Sequence, residues 1–209
     1  MLVALAATVA FAVVAFAVAS HADITRSDVQ FAQWLHAHRW PVLIGAMRVV
    51  SWMNGVVGVC VMATALALWF WRVRARAWFE LVLLAIPGVI LLNHLLKQCF
   101  ARPRPHLVAP WTSLTSYSFP SGHVSQSTVF YGLLATWLCL RCGHLTTRVL
   151  IVVAAWLMIV TVAASRVYLG AHYLTDVVAA LFEGVGWLAV CHLALAWRQP
   201  GDGFVREGA

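Results

Sequence analysis

Charge is what this chain has least of. Only 10% of its 209 residues are Asp, Glu, Lys or Arg, against roughly 25% in an ordinary soluble domain, so most of its surface is not built to face water. Carboxylates are scarcest, with seven Asp and Glu in all. That count argues against a two-metal hydrolytic centre, which needs several carboxylates, and neither a metal nor another cofactor is expected. Cys60, Cys99, Cys139, Cys142 and Cys191 follow no regular spacing, which argues against a disulfide framework. Cys139 and Cys142 form a C-x-x-C pair, but no second ligand pair accompanies it for zinc. The chain also lacks an internal repeat, a low-complexity segment and any long basic run. Its net charge of +7 therefore does not denote nucleic-acid binding; anionic lipid headgroups and phosphate are the better partners.

What the chain has instead is apolar length. Hydrophobic residues make up 63% of it and the mean hydropathy is +0.86. A helix needs about 20 apolar residues to cross a bilayer, and six runs qualify: Leu2–Ser20, Met53–Trp71, Phe79–Leu96, Val124–Leu140, the slightly short Val149–Ala164, and His172–Trp197. The expected fold is all-α, a six-transmembrane-helix bundle forming one membrane-embedded domain over residues 1–209. The first run ends in Ala19, Ser20, His21 and Ala22, which resembles a signal-peptide cleavage region, but it lacks a basic leader and is read as a retained span. Trp52, Trp69, Trp71, Trp78, Trp137 and Trp197 stand near span ends, where interfacial anchors belong. Between the first two runs, Ala22–Trp52 carries Phe31, Trp34 and Leu35 at helical spacing, as a helix lying on the membrane or a lid on the bundle would. The short Gly-rich tail follows Pro200.

Three stretches, distant in sequence, carry the chemistry. Lys97 precedes Arg104 and Pro105 at the end of the third run. Pro120, Ser121, Gly122 and His123 open the fourth. Ser165 and Arg166 close the fifth, with His172 and Asp176 leading into the sixth. With six antiparallel spans all three fall on one membrane face. Lys97, Arg104 and Arg166 can neutralise phosphate oxygens. Ser121 and Gly122 stand at a helix start, where backbone N–H groups bind anions. His172 and Asp176 are four apart and share a face if helical. A carboxylate on Nδ1 would fix the neutral tautomer and leave Nε2 free to attack, which makes His172 the candidate nucleophile and leaves His123 as the general acid. Charged groups at membrane depth are costly and commonly functional.

Orientation rests on the remaining cations. Arg72, Arg74, Arg76, Arg141, Arg148, Arg198 and Arg206 lie on one side; Arg26, Arg39, Arg48, Lys97, Arg102, Arg104 and Arg166 lie on the other. Discounting Lys97, Arg104 and Arg166 as chemical leaves an excess on the first side. The positive-inside rule then puts the tail in the cytoplasm and the three stretches outside.

These residues resemble the type 2 phosphatidic acid phosphatase superfamily, whose relatives include the vanadium haloperoxidases. Its pattern of K-x6-R-P, P-S-G-H and S-R-x5-H-x3-D is matched at Lys97, Arg104, Pro105, Pro120, Ser121, Gly122, His123, Ser165, Arg166, His172 and Asp176. The resemblance implies metal-independent hydrolysis of a membrane lipid phosphate or pyrophosphate through a phosphohistidine at His172. His123 would be the acid, Asp176 the partner of His172, and Lys97, Arg104, Arg166, Ser121 and Gly122 the phosphate ligands. It also implies a bacterial inner-membrane location with the site facing the periplasm. Phosphatidate, phosphatidylglycerol phosphate, undecaprenyl pyrophosphate and lipid A phosphates are the family's substrates. Transfer of the phosphoryl group to a lipid acceptor, and lipid binding or translocation without chemistry, are the competing readings. Glu183, outside the motif, is expected to hydrogen-bond inside the bundle to a group such as Asn93. Oligomeric state is open.

Overall fold

The computed structural model describes residues 1–105 and 116–198; the tail after Pro200, and most of the loop that precedes Phe119, lie outside them. The described residues form eight α-helices and no strand: α1 (Leu2–Ala19), α2 (Asp23–Ala37), α3 (Pro41–Met53), α4 (Val56–Arg72), α5 (Arg76–Phe100), α6 (Gly122–Arg141), α7 (Leu145–Tyr168) and α8 (Leu174–Arg198). Helices are the natural answer to this composition, because in lipid each backbone donor and acceptor must be satisfied within its own segment.

Four helices, α1, α5, α7 and α8, are each long and apolar enough to cross a membrane, and α3 with α4 makes a fifth if the pair, bent by 52°, is one span. The molecule is thus a multi-pass membrane protein. The expected second and fourth spans fall short individually for identifiable reasons. α4 has only 17 residues. α6 has 20, but its first two turns carry Ser125, Gln126, Ser127 and Thr128, all buried. Those side chains are buried against neighbouring helices, and Gln126 lines the site cavity.

The main core lies between α4, α5, α6 and α8, around Phe70, Trp78, Leu81, Val89 and Leu133. Two of the expected interfacial tryptophans belong here instead: Trp78 is fully enclosed and Trp137 nearly so, whereas Trp52, Trp71 and Trp197 do stand exposed. Trp78 and Trp137 both pack against Phe70 with tilted rings, so their large apolar faces are used in packing. α1 runs along α8, and its Ala15 and Val18 join Phe119 and Ala179 in a second cluster.

Ala22–Trp52 is two helices, not one. Pro41 opens α3 at a position where its missing N–H costs nothing. α2 packs on the bundle as the lid reading expects: it buries Asp28 and Ala32 while leaving Ile24, Phe31 and Trp34 exposed. The break between α3 and α4 falls at Asn54 and Gly55. Asn54 is buried there and accepts hydrogen bonds at Oδ1 from Ser127 Oγ (3.3 Å) and Tyr131 Oη (3.0 Å), while its carbonyl takes Gln126 Nε2 at 2.9 Å. The bend is thereby fastened to α6 directly above the first turn that carries His123.

Candidate active site

The three sequence stretches converge on one cavity of about 250 Å³, walled by Lys97, Arg104, Arg166, Gly122, His123 and His172, with Val56 and Ile90 on an apolar side. Ser121 and Asp176 stand behind that wall. α5 supplies Lys97 from its last turn and then ends at Ala101, which takes φ +45°, a conformation glycine usually occupies. The chain so turned delivers Arg104 from the following loop. α6 opens on Ser121 as N-cap, placing Gly122 and His123 in its first turn, where the leading N–H groups have no helical acceptor. α7 brings Arg166 from its last turn.

Gly122 could not be larger: a Cβ there would come within 2.9 Å of Asn93 Oδ1. Asn93 in turn donates to Ser125 Oγ at 3.2 Å and to Glu183 Oε2 at 3.0 Å, which is the partner expected for Glu183. Ser121 contributes less main chain than its position implied, because its N–H donates to the Asp176 carbonyl at 3.1 Å. Its Oγ is buried and makes no hydrogen bond among the described residues.

His172 corrects one expectation. It is not on the sixth helix: α8 begins at Leu174, and His172 sits in the turn before it. The pairing survives the change of setting. His172 Nδ1 lies 3.4 Å from Asp176 Oδ2, an ion-pair distance whose alignment falls short of a hydrogen bond among the described residues. On the other side of the ring, Arg104 Nη1 lies 3.2 Å from Nε2. A guanidinium only donates, so Nε2 is the acceptor and the neutral ring carries its proton on Nδ1, toward Asp176. Burial is the main cause that brings the His172 pKa down to about 3; Arg166 and Arg104 add to it and Asp176 only partly opposes it. The ring is therefore neutral at ordinary pH, with its lone pair aimed into a cavity of cations.

Among the described residues those cations have no carboxylate partners of their own. Lys97 Nζ donates to the carbonyls of Tyr117 (2.7 Å) and Ser118 (3.4 Å). Arg104 reaches the Ser116 carbonyl at 2.7 Å, Ser116 Oγ at 3.0 Å and the Ala171 carbonyl at 2.8 Å. Arg166 donates to Ser51 Oγ on α3, and its Nε is buried and unpaired among the described residues. Three cations bound, among the described residues, only to neutral oxygens and to the neutral His172 ring retain their charge for an anionic ligand. Among the described residues no group of three or more His, Cys, Asp or Glu side chains is arranged to hold a metal ion.

Sequence reasoning passed over several members of this site. Ser51, Asn54 and Gly55 come from the α3–α4 break, and a Cβ on Gly55 would lie 3.4 Å from His123 Nε2. Arg102, which the sequence offers only as one cation in the orientation count, pairs with both Asp28 and Asp176. The only signal was the odd presence of a second arginine two residues before Arg104.

Against known proteins, the profile of the PAP2 superfamily matches residues 77–200. The chain belongs to the PAP2 superfamily. This PAP2 chain is 35% identical to phosphatidylglycerophosphatase B of Bacillus subtilis (strain 168) over 112 residues, 53% of this chain and 55% of that protein, so the match spans about half the relative's length. Its fold matches the crystal structure of a transmembrane PAP2-type phosphatidylglycerolphosphate phosphatase from Bacillus subtilis with a TM-score of 0.82 and 25% identity, over 93% of this chain and 96% of that one. Aquifex aeolicus LpxE shares the fold at a TM-score of 0.60 and 20% identity, over 78% of this chain and 93% of that one. The matched region contains all the PAP2 signature residues, from Lys97 to Asp176.

Proposed function

We propose that this protein hydrolyses a membrane lipid phosphate without a metal, through a phosphohistidine on His172. The observation that carries the reading is the contact of Arg104 Nη1 with His172 Nε2, which keeps the attacking nitrogen unprotonated at the rim of a cavity holding three cations. Nε2 attacks phosphorus and forms a P–N bond as the P–O bond to the lipid breaks. Arg104, released from Nε2, moves to the phosphoryl oxygens beside Lys97 and Arg166, where charge develops in the transition state. His123 gives its proton to the departing lipid oxygen. It then takes one back from the water that breaks the P–N bond and frees inorganic phosphate. Asp176, 3.4 Å from Nδ1, stabilises the ring as it becomes cationic. Ser121 and Gly122 shape the floor beneath the phosphate.

A lipid rather than a soluble ester is favoured by Val56 and Ile90, which give the cavity an apolar side on helices whose neighbours Val57 and Leu91 are exposed apolar residues, as a bilayer-facing surface would present. The similarity to phosphatidylglycerol phosphate phosphatases makes that lipid the first to test. In the same reading α1, α4, α5, α6, α7 and α8 are six spans of one domain covering residues 1–209. The site faces the periplasm from a bacterial inner membrane, with α6 short of apolarity only where it lines the site.

The test uses purified protein in mixed micelles with phosphatidylglycerol phosphate. Phosphate release should continue in EDTA, and His172→Ala should fall by about 10³-fold or more, the scale of losing a covalent nucleophile. Substrate labelled in its phosphate should leave an acid-labile adduct on the wild type and none on His172→Ala. Full activity in the variant would sink the mechanism, and label passing into a second lipid rather than into solution would make the enzyme a transferase.

A further inference from the structure

Behind the cavity wall is a second charged cluster that takes no part in holding phosphate. Arg102 lies only two residues before Arg104 but points the other way. Its Nη1 donates to Asp176 Oδ1 at 2.6 Å and to Thr175 Oγ1 at 2.8 Å; its Nη2 donates to Asp28 Oδ2, on α2, at 2.9 Å. Asp28 receives further bonds from the Thr175 N–H (3.1 Å) and the Thr175 hydroxyl. The guanidinium is sandwiched by Tyr173, whose ring centroid is 4.3 Å from Cζ. Both carboxylates are buried, and the Arg102 side chain is 10% exposed.

The arrangement decides how Asp176 faces His172. Oδ2 of Asp176 accepts from the Ser118 hydroxyl and from the Tyr173 N–H at 2.9 Å, and it is this oxygen that meets His172 Nδ1. Oδ1 is turned away and gripped by Arg102. The main chain of Arg102 completes the frame, its carbonyl accepting from the Ser118 N–H at 2.8 Å. A fork of donors can bridge two carboxylates in fixed geometry; a lysine ammonium cannot.

We propose that Arg102, braced by Asp28, is a positioning residue: it locks the Asp176 carboxylate so that one oxygen orients His172 and the other stays occupied. The inference rests on the phosphohistidine reading above. It assigns α2 a part in the chemistry, since Asp28 is the anchor that fixes the far end of the fork. Arg102 touches neither substrate nor the reacting nitrogen, so its removal acts on turnover rather than binding.

The experiment compares wild type with Arg102→Gln, Arg102→Lys, Asp28→Asn and the Asp28→Asn, Arg102→Gln double variant. Phosphate release from phosphatidylglycerol phosphate is measured alongside melting temperature in detergent. Loss of orientation at this distance should lower kcat by about 30- to 100-fold in Arg102→Gln, with KM changed by less than about threefold. Arg102→Lys should recover less than about a tenth of the loss. Asp28→Asn is isosteric, and its kcat should fall by about five- to tenfold. The double variant should be no worse than Arg102→Gln, because Asp28 acts only through Arg102. A kcat within threefold of wild type in Arg102→Gln, a loss confined to KM, or multiplicative losses in the double variant would each overturn the proposal.

Should wild type release no phosphate from any lipid, the mechanism falls but Arg102 is still judged. In ¹⁵N-histidine-labelled protein, with His172→Gln to assign the signal, both proteins should hold the Nδ1–H tautomer that Arg104 fixes, but Arg102→Gln should shift the Nδ1 resonance and speed exchange of its proton as Asp176 loses its fixed position. An unchanged Nδ1 shift and exchange rate reject the role.

Discussion

His172 is enclosed so completely that only 2% of its side chain is exposed, and this enclosure has a measurable signature. Its pKa falls from an ordinary 6.5 to about 3 in the folded chain. The unfolded chain therefore takes up a proton on this ring below pH 6.5 that the folded chain refuses until about pH 3. The stabilising contribution of the neutral ring is complete above pH 6.5 and is lost as pH falls through that window. Melting temperature should accordingly fall more steeply between pH 7 and about pH 4.5 for wild type than for His172→Gln, which has no proton to gain; parallel curves would contradict this. By the same enclosure, protonation of the proposed nucleophile should not limit activity in mildly acidic conditions.

At the scale of elements, the site depends on how closely α6 and α8 approach, since one carries His123 and the other Asp176. Gly184 sets that distance. A Cβ on it would lie 2.7 Å from Thr128 Cβ and 2.8 Å from the Ser125 carbonyl, neither of which is the loose end of a flexible chain. Small residues let membrane helices pack backbone to backbone in this way. Gly184→Ala should destabilise the protein by about 1–3 kcal/mol through overpacking and lower kcat as the helices separate, read by thermal unfolding in detergent and by phosphate release. Unchanged stability would show that the bundle has slack that this packing denies. Elements also mark how far the sequence could be read. Helical runs and the signature residues at their ends were legible, because apolar length and clustered charge are local properties. The break at Asn54 and Gly55 was not, since nothing local says that Asn54 will be fastened to Gln126, Ser127 and Tyr131. Trp78 and Trp137 looked like interface residues because position near a span end does not tell which way a side chain points. Arg102 and Asp28 are 74 residues apart, and their partnership exists only because α2 folds back over the start of α8.

At the scale of the whole molecule, the proposed orientation makes a direct statement about the turn between α6 and α7. Gly143 is exposed there, flanked by Arg141 and Arg148, and belongs to the side assigned to the cytoplasm. A fluorescent protein fused after Gly143 should light up, and a reporter that works only in the periplasm should stay silent at the same point; the reverse pair of results would invert the topology. The seam between α1 and α8 also has a bearing on how the protein comes into being. Ala15 and Val18, from α1, close against Ala179, from α8, and enclose Phe119 beside the Pro120–His123 turn. This wall cannot form until α8 has been synthesised and inserted. An intermediate inserted only as far as α7 carries His123 and Arg166 but lacks the Asp176 that α8 brings. The proposed site thus stays incomplete through most of its own biogenesis and closes in a late step, when α8 meets α1.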